Sequence, residues 1–105
     1  MIEAKTDIVL IGPFWTRAQA TSYLDCTARS LLERRDVLRI GARLSQEVYP
    51  AFQFEHDRVR GDIATVVELM VRHDVTGAVI SDWLVSPNPQ LGGVAPLDWL
   101  NRGRP

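Results

Sequence analysis

The chain has 105 residues, 46% hydrophobic and 24% charged, with a formal net charge of −1. That length supports one ordinary domain, or two very small ones sharing a core, and the composition is that of a folded chain, not a disordered one. The early apolar run Ile8 to Ile11 is too short for a membrane span and no small-residue cleavage site follows it, so a cytoplasmic location is expected; the single cysteine, Cys26, excludes an internal disulfide and a multi-cysteine zinc site.

The small net charge conceals an asymmetry. Residues 14–43 carry six arginines against Asp25, Glu33 and Asp36, a local +3, whereas residues 44–105 carry five arginines against eight acids, a local −3. A basic front and an acidic back are expected where two halves meet different partners.

An extended start over Asp7 to Ile11 breaks at Gly12-Pro13. Thr16 then offers a hydroxyl to the orphan N–H groups of a helix reaching Leu24, with Ala20, Tyr23 and Leu24 on one face. Asp25-Cys26-Thr27 interrupts the pattern, and Thr27 caps a second helix, "ARSLLERR", with Ala28, Leu31 and Leu32 inward and Arg29, Ser30, Glu33 and Arg34 outward. Two short capped helices with a tight turn fit a helix-turn-helix, whose second helix enters the DNA major groove. A helical hairpin with a solvated arginine face fits the same spacing.

"VLRI" and "VYPAFQF" follow, both β-rich, and are expected to pair as a hairpin, with Pro50 placing the returning strand at an edge. Helices joined to such a hairpin form a winged helix-turn-helix. On this reading Arg29, Ser30 and Arg34 read or grip DNA. Arg17, Thr27, Arg39 and Arg43 meet phosphates, and Thr16 and Arg35 belong to the same DNA-binding set. The pattern over about residues 14–54 resembles the short helix-turn-helix of excisionase and MerR-type domains.

In the back half, "VRGDIATVVELMVRH" puts Ile63, Val66, Val67, Met70 and Val71 on one helical face. Thr76 caps the next helix, "GAVISDWLV", with Val79, Ile80, Trp83 and Leu84 expected inside, and Ser86-Pro87 ends it. Pro96 starts a final short helix, "PLDWL". The Pro/Gly-rich loop between two Trp-Leu pairs reads as a clamp joining two helices through Trp83 and Trp99.

"WL-x-SPNPxLGG-x-x-PLDWL", residues 83–100, with "YPAFQF" upstream, resembles the C-terminal toxin-binding domain of the Xre/MbcA/ParS-type antitoxins. The resemblance covers roughly residues 49–103. It implies an antitoxin-like protein of a type II toxin-antitoxin system that binds a RES-domain toxin and represses its own operon. Trp83, Pro87, Asn88, Leu91, Pro96, Leu97, Trp99 and Leu100 would then shape the partner-binding surface.

The expected fold is therefore mainly α with a small β-hairpin (α+β). Residues 1–54 form a winged helix-turn-helix and residues 55–105 a short helical, antitoxin-like region; the whole is a homodimer on paired half-sites of double-stranded DNA. A stand-alone winged-helix regulator and a pure protein-interaction module are the alternatives. Catalysis is not expected: His56-Asp57 and His73-Asp74 are too few ligands for a metal hydrolase, no serine sits in a nucleophile elbow, and Gly92-Gly93 lacks the lysine of a phosphate loop. No cofactor, metal or membrane is called for.

Overall fold

Three of the helices begin on a threonine cap that the sequence carries. In this computed structural model, which describes residues 8–41 and 47–103, five α-helices and two antiparallel two-stranded sheets make a mixed α/β fold. Helix α1 (Arg17–Leu24) opens with a reciprocal cap: Gln19 N–H donates to Thr16 Oγ1 at 3.1 Å and Thr16 N–H donates to Gln19 Oε1 at 2.9 Å. It closes on Asp25, left-handed at φ 54°, with Asp25 N–H donating to the Ser22 carbonyl and Cys26 N–H to that of Thr21. Thr27 then caps α2 (Ala28–Glu33) by accepting from Ser30 N–H.

The same device recurs in the back half. Helix α3 (Gly61–Arg72) closes on Asp74 at φ 62°, with Asp74 N–H donating to Val71 and Val75 N–H to Met70, and Thr76 caps α4 (Gly77–Val85). Asp25-Cys26-Thr27 and Asp74-Val75-Thr76 are one turn used twice: the aspartate satisfies the carbonyls of one helix, and the threonine satisfies the N–H groups of the next.

The strands depart from expectation. The single Ile40–Val48 bridge, with N–H···O distances of 2.9 and 3.0 Å, is the described part of the expected hairpin; residues 42–46, Arg43 among them, lie outside the described residues. Beyond that bridge the returning segment leaves its expected partner. Strand β1 (Phe14–Trp15) pairs antiparallel with β2 (Tyr49–Pro50), and Ala51–Gln53 coils into a 3-10 turn instead of extending the strand. Gln53 causes the change. Its fully buried amide accepts from Leu38 N–H at 2.7 Å and donates to the carbonyls of Leu38 at 2.8 Å and Pro50 at 3.0 Å, so a side chain takes the strand's place beside Leu38.

Strands β3 (Phe54–Glu55) and β4 (Arg58–Val59) form a second hairpin. His56 and Asp57 form its two-residue loop, both at positive φ (51° and 62°), as the twist of a tight hairpin demands. Asp57 N–H donates to Tyr23 Oη at 3.0 Å, pinning this hairpin to α1.

Two clusters make the core. One gathers Ala20, Leu31, Val37, Tyr49, Phe54 and Val59, with Trp15 stacked on Phe54 at 4.4 Å; the other gathers Leu38, Ile63, Val67, Ile80 and Leu84. Leu38, from the front segment, packs in the back cluster.

Three helical faces need correction. α2 stops at Glu33, short of the expected Arg35, because Arg34 turns extended to pair with Asp36; under two turns long, it buries Leu31 and leaves Ala28 and Leu32 exposed. In α4 the inner face is Ile80, Ser81 and Leu84, whereas Val79 and Trp83 are 44% and 38% exposed. Gly77 sets that rotation: a Cβ there would lie 1.8 Å from the Arg39 carbonyl oxygen, so the stripe Gly77–Ile80–Leu84 faces inward and the Val79–Trp83 stripe faces out. In α5 (Pro96–Arg102), Leu97 and Leu100 pack on the back cluster and Trp99 is 51% exposed. The clamp between α4 and α5 is therefore made by leucines, not tryptophans.

Gln53→Leu leaves three backbone groups without this partner inside the core, and a loss of roughly 2–4 kcal/mol in urea unfolding is expected. Gly77→Ala must displace the Arg39 backbone and should cost about 1–3 kcal/mol in the same assay; wild-type midpoints for both variants would contradict these assignments.

Candidate nucleic-acid and partner interfaces

Among the described residues, the expected DNA-binding residues lie at the start of α1 (Thr16 and Arg17), on α2 and its cap (Thr27, Arg29 and Ser30) and in the segment after it (Arg34, Arg35 and Arg39), in two states of engagement. Arg29 and Ser30 stand exposed on the outer side of α2, and neither Arg29 nor Arg35 has a side-chain hydrogen bond or ion pair among the described residues. Thr16 and Thr27 are exposed, but their hydroxyls already serve as helix caps.

Arg34 is committed to a neighbour. Its Nε and Nη2 donate to the two Asp36 carboxylate oxygens at 2.9 and 2.8 Å, and this pairing holds the Asp36 carboxyl below the usual carboxylate range. Arg17 likewise forks onto Glu47 at 3.0 and 2.8 Å, and Glu47 also accepts from the Tyr49 hydroxyl. The Arg17 hydrogen bond leads in holding the Glu47 carboxyl down at about 2, while burial and then Glu47 push the Tyr49 hydroxyl up to about 12. Arg39 Nη1 donates to the Leu32 carbonyl at 3.3 Å. Arg29 and Arg35 are thus the residues of this set most ready for an incoming anion.

The expected partner-binding residues divide into scaffold and surface. Asn88 organises the loop: its Oδ1 accepts from Gln90 N–H at 2.9 Å, its N–H donates to the Val94 carbonyl at 3.1 Å, and its carbonyl accepts from Leu91 and Gly93, each at 2.9 Å. Gly92 and Gly93 complete the reversal at φ 72° and 86°, positions a side chain would strain. Pro96 is buried at the start of α5, and Leu97 and Leu100 are half-buried against the back cluster. Trp83, Pro87 and Trp99 are exposed, and Leu91 is half-buried at the loop tip.

Sequence reasoning missed Val79, whose exposed side chain stands one turn before Trp83; reading Gly77 as the inward contact of α4 would have found it. It also missed Arg60, which is 7% exposed, forks onto Asp62 at 3.2 and 2.9 Å and donates to Asn101 Oδ1 at 2.8 Å, tying α5 to the start of α3. Nothing in a single sequence distinguishes this arginine from its exposed neighbours. His56 shapes a hairpin loop and His73 ends α3; among the described residues no three His, Cys, Asp or Glu side chains meet as a metal site. No helix among them is long and apolar enough to cross a membrane. No protein-family model, curated protein or solved structure matches the chain.

Because the folded Glu47 carboxyl titrates near 2 against an ordinary value of 4.5, its stabilising contribution is complete above about pH 4.5 and is lost as pH falls toward 2. Glu47→Gln should flatten the acid limb of stability over that window, measured as urea midpoints from pH 2 to 6; an acid limb as steep as that of the unaltered chain would remove Glu47 from this role.

Proposed function

We propose that the chain is an antitoxin-like DNA-binding protein of a type II toxin-antitoxin pair, holding operator DNA with its basic front and a RES-domain toxin with its back. The observation that carries the reading is the outward placement of Trp83 and Trp99. The back half fills its core with Ile80, Leu84, Leu97 and Leu100 and leaves its two largest side chains 38% and 51% in water. Exposed aromatics on a scaffold of packed helices are what protein interfaces select. They stand in the segment that resembles the antitoxin toxin-binding domain.

The front supplies a complementary argument. Helix α1, the Asp25–Thr27 turn and α2 have the order and brevity of a helix-turn-helix, and Arg29 and Ser30 sit near the N-terminus of the second helix, where base edges are read. The winged form of this reading takes the Ile40–Val48 bridge as the base of the wing and Arg43 as a phosphate contact. Dimerisation would place two such units on paired half-sites, and repression of the operon follows from occupancy.

Arg29→Ala should weaken binding to the chain's own upstream DNA about tenfold or more in fluorescence anisotropy, and the affinity of the unaltered chain should fall steeply with salt. Trp83→Ala with Trp99→Ala should abolish pull-down of the RES-domain toxin and rescue of growth while leaving DNA binding intact. A toxin complex indifferent to both tryptophans would refute the back-half assignment. If the unaltered chain binds its upstream DNA but forms no toxin complex, the stand-alone regulator is correct.

A further inference from the structure

Where α2 runs out, the segment from Arg34 to Arg39 lies against α3 and the start of α4, and a cleft of about 580 Å³ opens between them. Its lining carries four arginines, Arg34, Arg35 and Arg39 from the front segment and Arg72 from the last turn of α3, against two carboxylates, Glu33 and Asp74. The floor residues Val67 and Ile80 are fully buried, so an entering group meets guanidinium more than hydrocarbon. Asp36 takes up Arg34, yet Arg35 and Arg72 are exposed and their side chains make no hydrogen bond or ion pair among the described residues.

With Asp36 counted, the group retains one net positive charge, and two guanidiniums have their forks unfilled. A planar fork of N–H donors matches phosphate oxygens two at a time. The volume is in the range of small-ligand sites, roughly 300–1,000 Å³, and exceeds what one phosphate fills. The close approach of Gly77 to the Arg39 carbonyl fixes the front segment against α4, so part of the rim is in place before a ligand arrives.

We infer that this cleft seats a pair of neighbouring phosphate groups, gripped by Arg35 from the front segment and Arg72 from α3. The phosphates come from one of two sources with the same chemistry: the backbone of DNA lying along α2, or the diphosphate of a free nucleotide. The first source rests on the proposed DNA-binding front, and the second is independent of it. Arg72, in the acidic half of the sequence, belongs to neither interface described above.

The test titrates the full chain with ADP, with adenosine, and with a DNA duplex of its own upstream sequence, using Arg35→Gln, Arg72→Gln and, as an equal loss of charge elsewhere, Arg58→Gln. Thermal melts first establish that each variant is folded. Binding of ADP but not adenosine, weakened about tenfold by Arg35→Gln and Arg72→Gln and unchanged by Arg58→Gln, supports the nucleotide source. Binding of the duplex, weakened to a similar extent by the same two changes and without ADP binding, supports the backbone source. If Arg72→Gln behaves like Arg58→Gln toward both ligands, or if neither ligand binds, the inference is overturned. ADP binding that needs Arg72, with no duplex binding, would refute the DNA-binding front and keep the cleft; duplex binding indifferent to Arg72, with no ADP binding that needs it, would do the reverse.

Discussion

The amide of Gln53 holds the two halves of this protein in register. It replaces a β-strand neighbour for Leu38, giving and taking one hydrogen bond with that residue's backbone, and it adds a third bond to the Pro50 carbonyl, all within a fully buried site. The main-chain carbonyl of Gln53 accepts from Arg60 N–H at 2.7 Å, at the start of α3. Buried amide bonds of this kind are individually modest but expensive to leave unmade. One residue therefore fixes the arginine-bearing segment, the β2 return and the origin of the central back helix together.

Much of the functional geometry follows from that register. With Leu38 anchored in the back cluster, Arg34 to Arg39 lie against α3, and the Arg39 carbonyl meets Gly77 so closely that only glycine fits. That contact turns α4 so that Ile80 and Leu84 enter the core and Val79 and Trp83 face solvent. The arginine cleft and the outward tryptophan thus share one cause. A second linkage, Arg17 to Glu47 to Tyr49, ties the start of α1 to β2 and keeps the front helices against the same scaffold.

The parts legible in the sequence are those set by short-range chemistry. Thr16, Thr27 and Thr76 mark helix starts because a hydroxyl satisfies N–H groups two or three residues away, and the interruption at Asp25 is visible because the apolar period breaks there. The α3 stripe was legible because its apolar residues alternate with Asp62, Thr65 and Glu68. "GAVISDWLV" was not, since a helix apolar nearly all round leaves its buried face undetermined until a tertiary contact, here at Gly77, selects it. "YPAFQF" reads as strand from its aromatics, and only the distant Leu38 backbone turns Gln53 inward and coils the chain. At the proposed interfaces, residue type located the arginines and the tryptophans. Which arginines were already paired depended on Asp36 and Glu47 folding onto them.

The central claim is that one small fold presents two separate binding faces, basic at α2 and aromatic at α4 and α5. The most direct measurement is amide and indole chemical-shift mapping of the isotope-labelled chain, first with operator duplex and then with RES-domain toxin. The account predicts that DNA moves Arg29, Ser30 and their neighbours, that toxin moves the Trp83 and Trp99 indoles, and that Gln53 and Leu38 between them stay in place. Shifts from both partners on one shared surface, or indoles that toxin leaves unmoved, would contradict it.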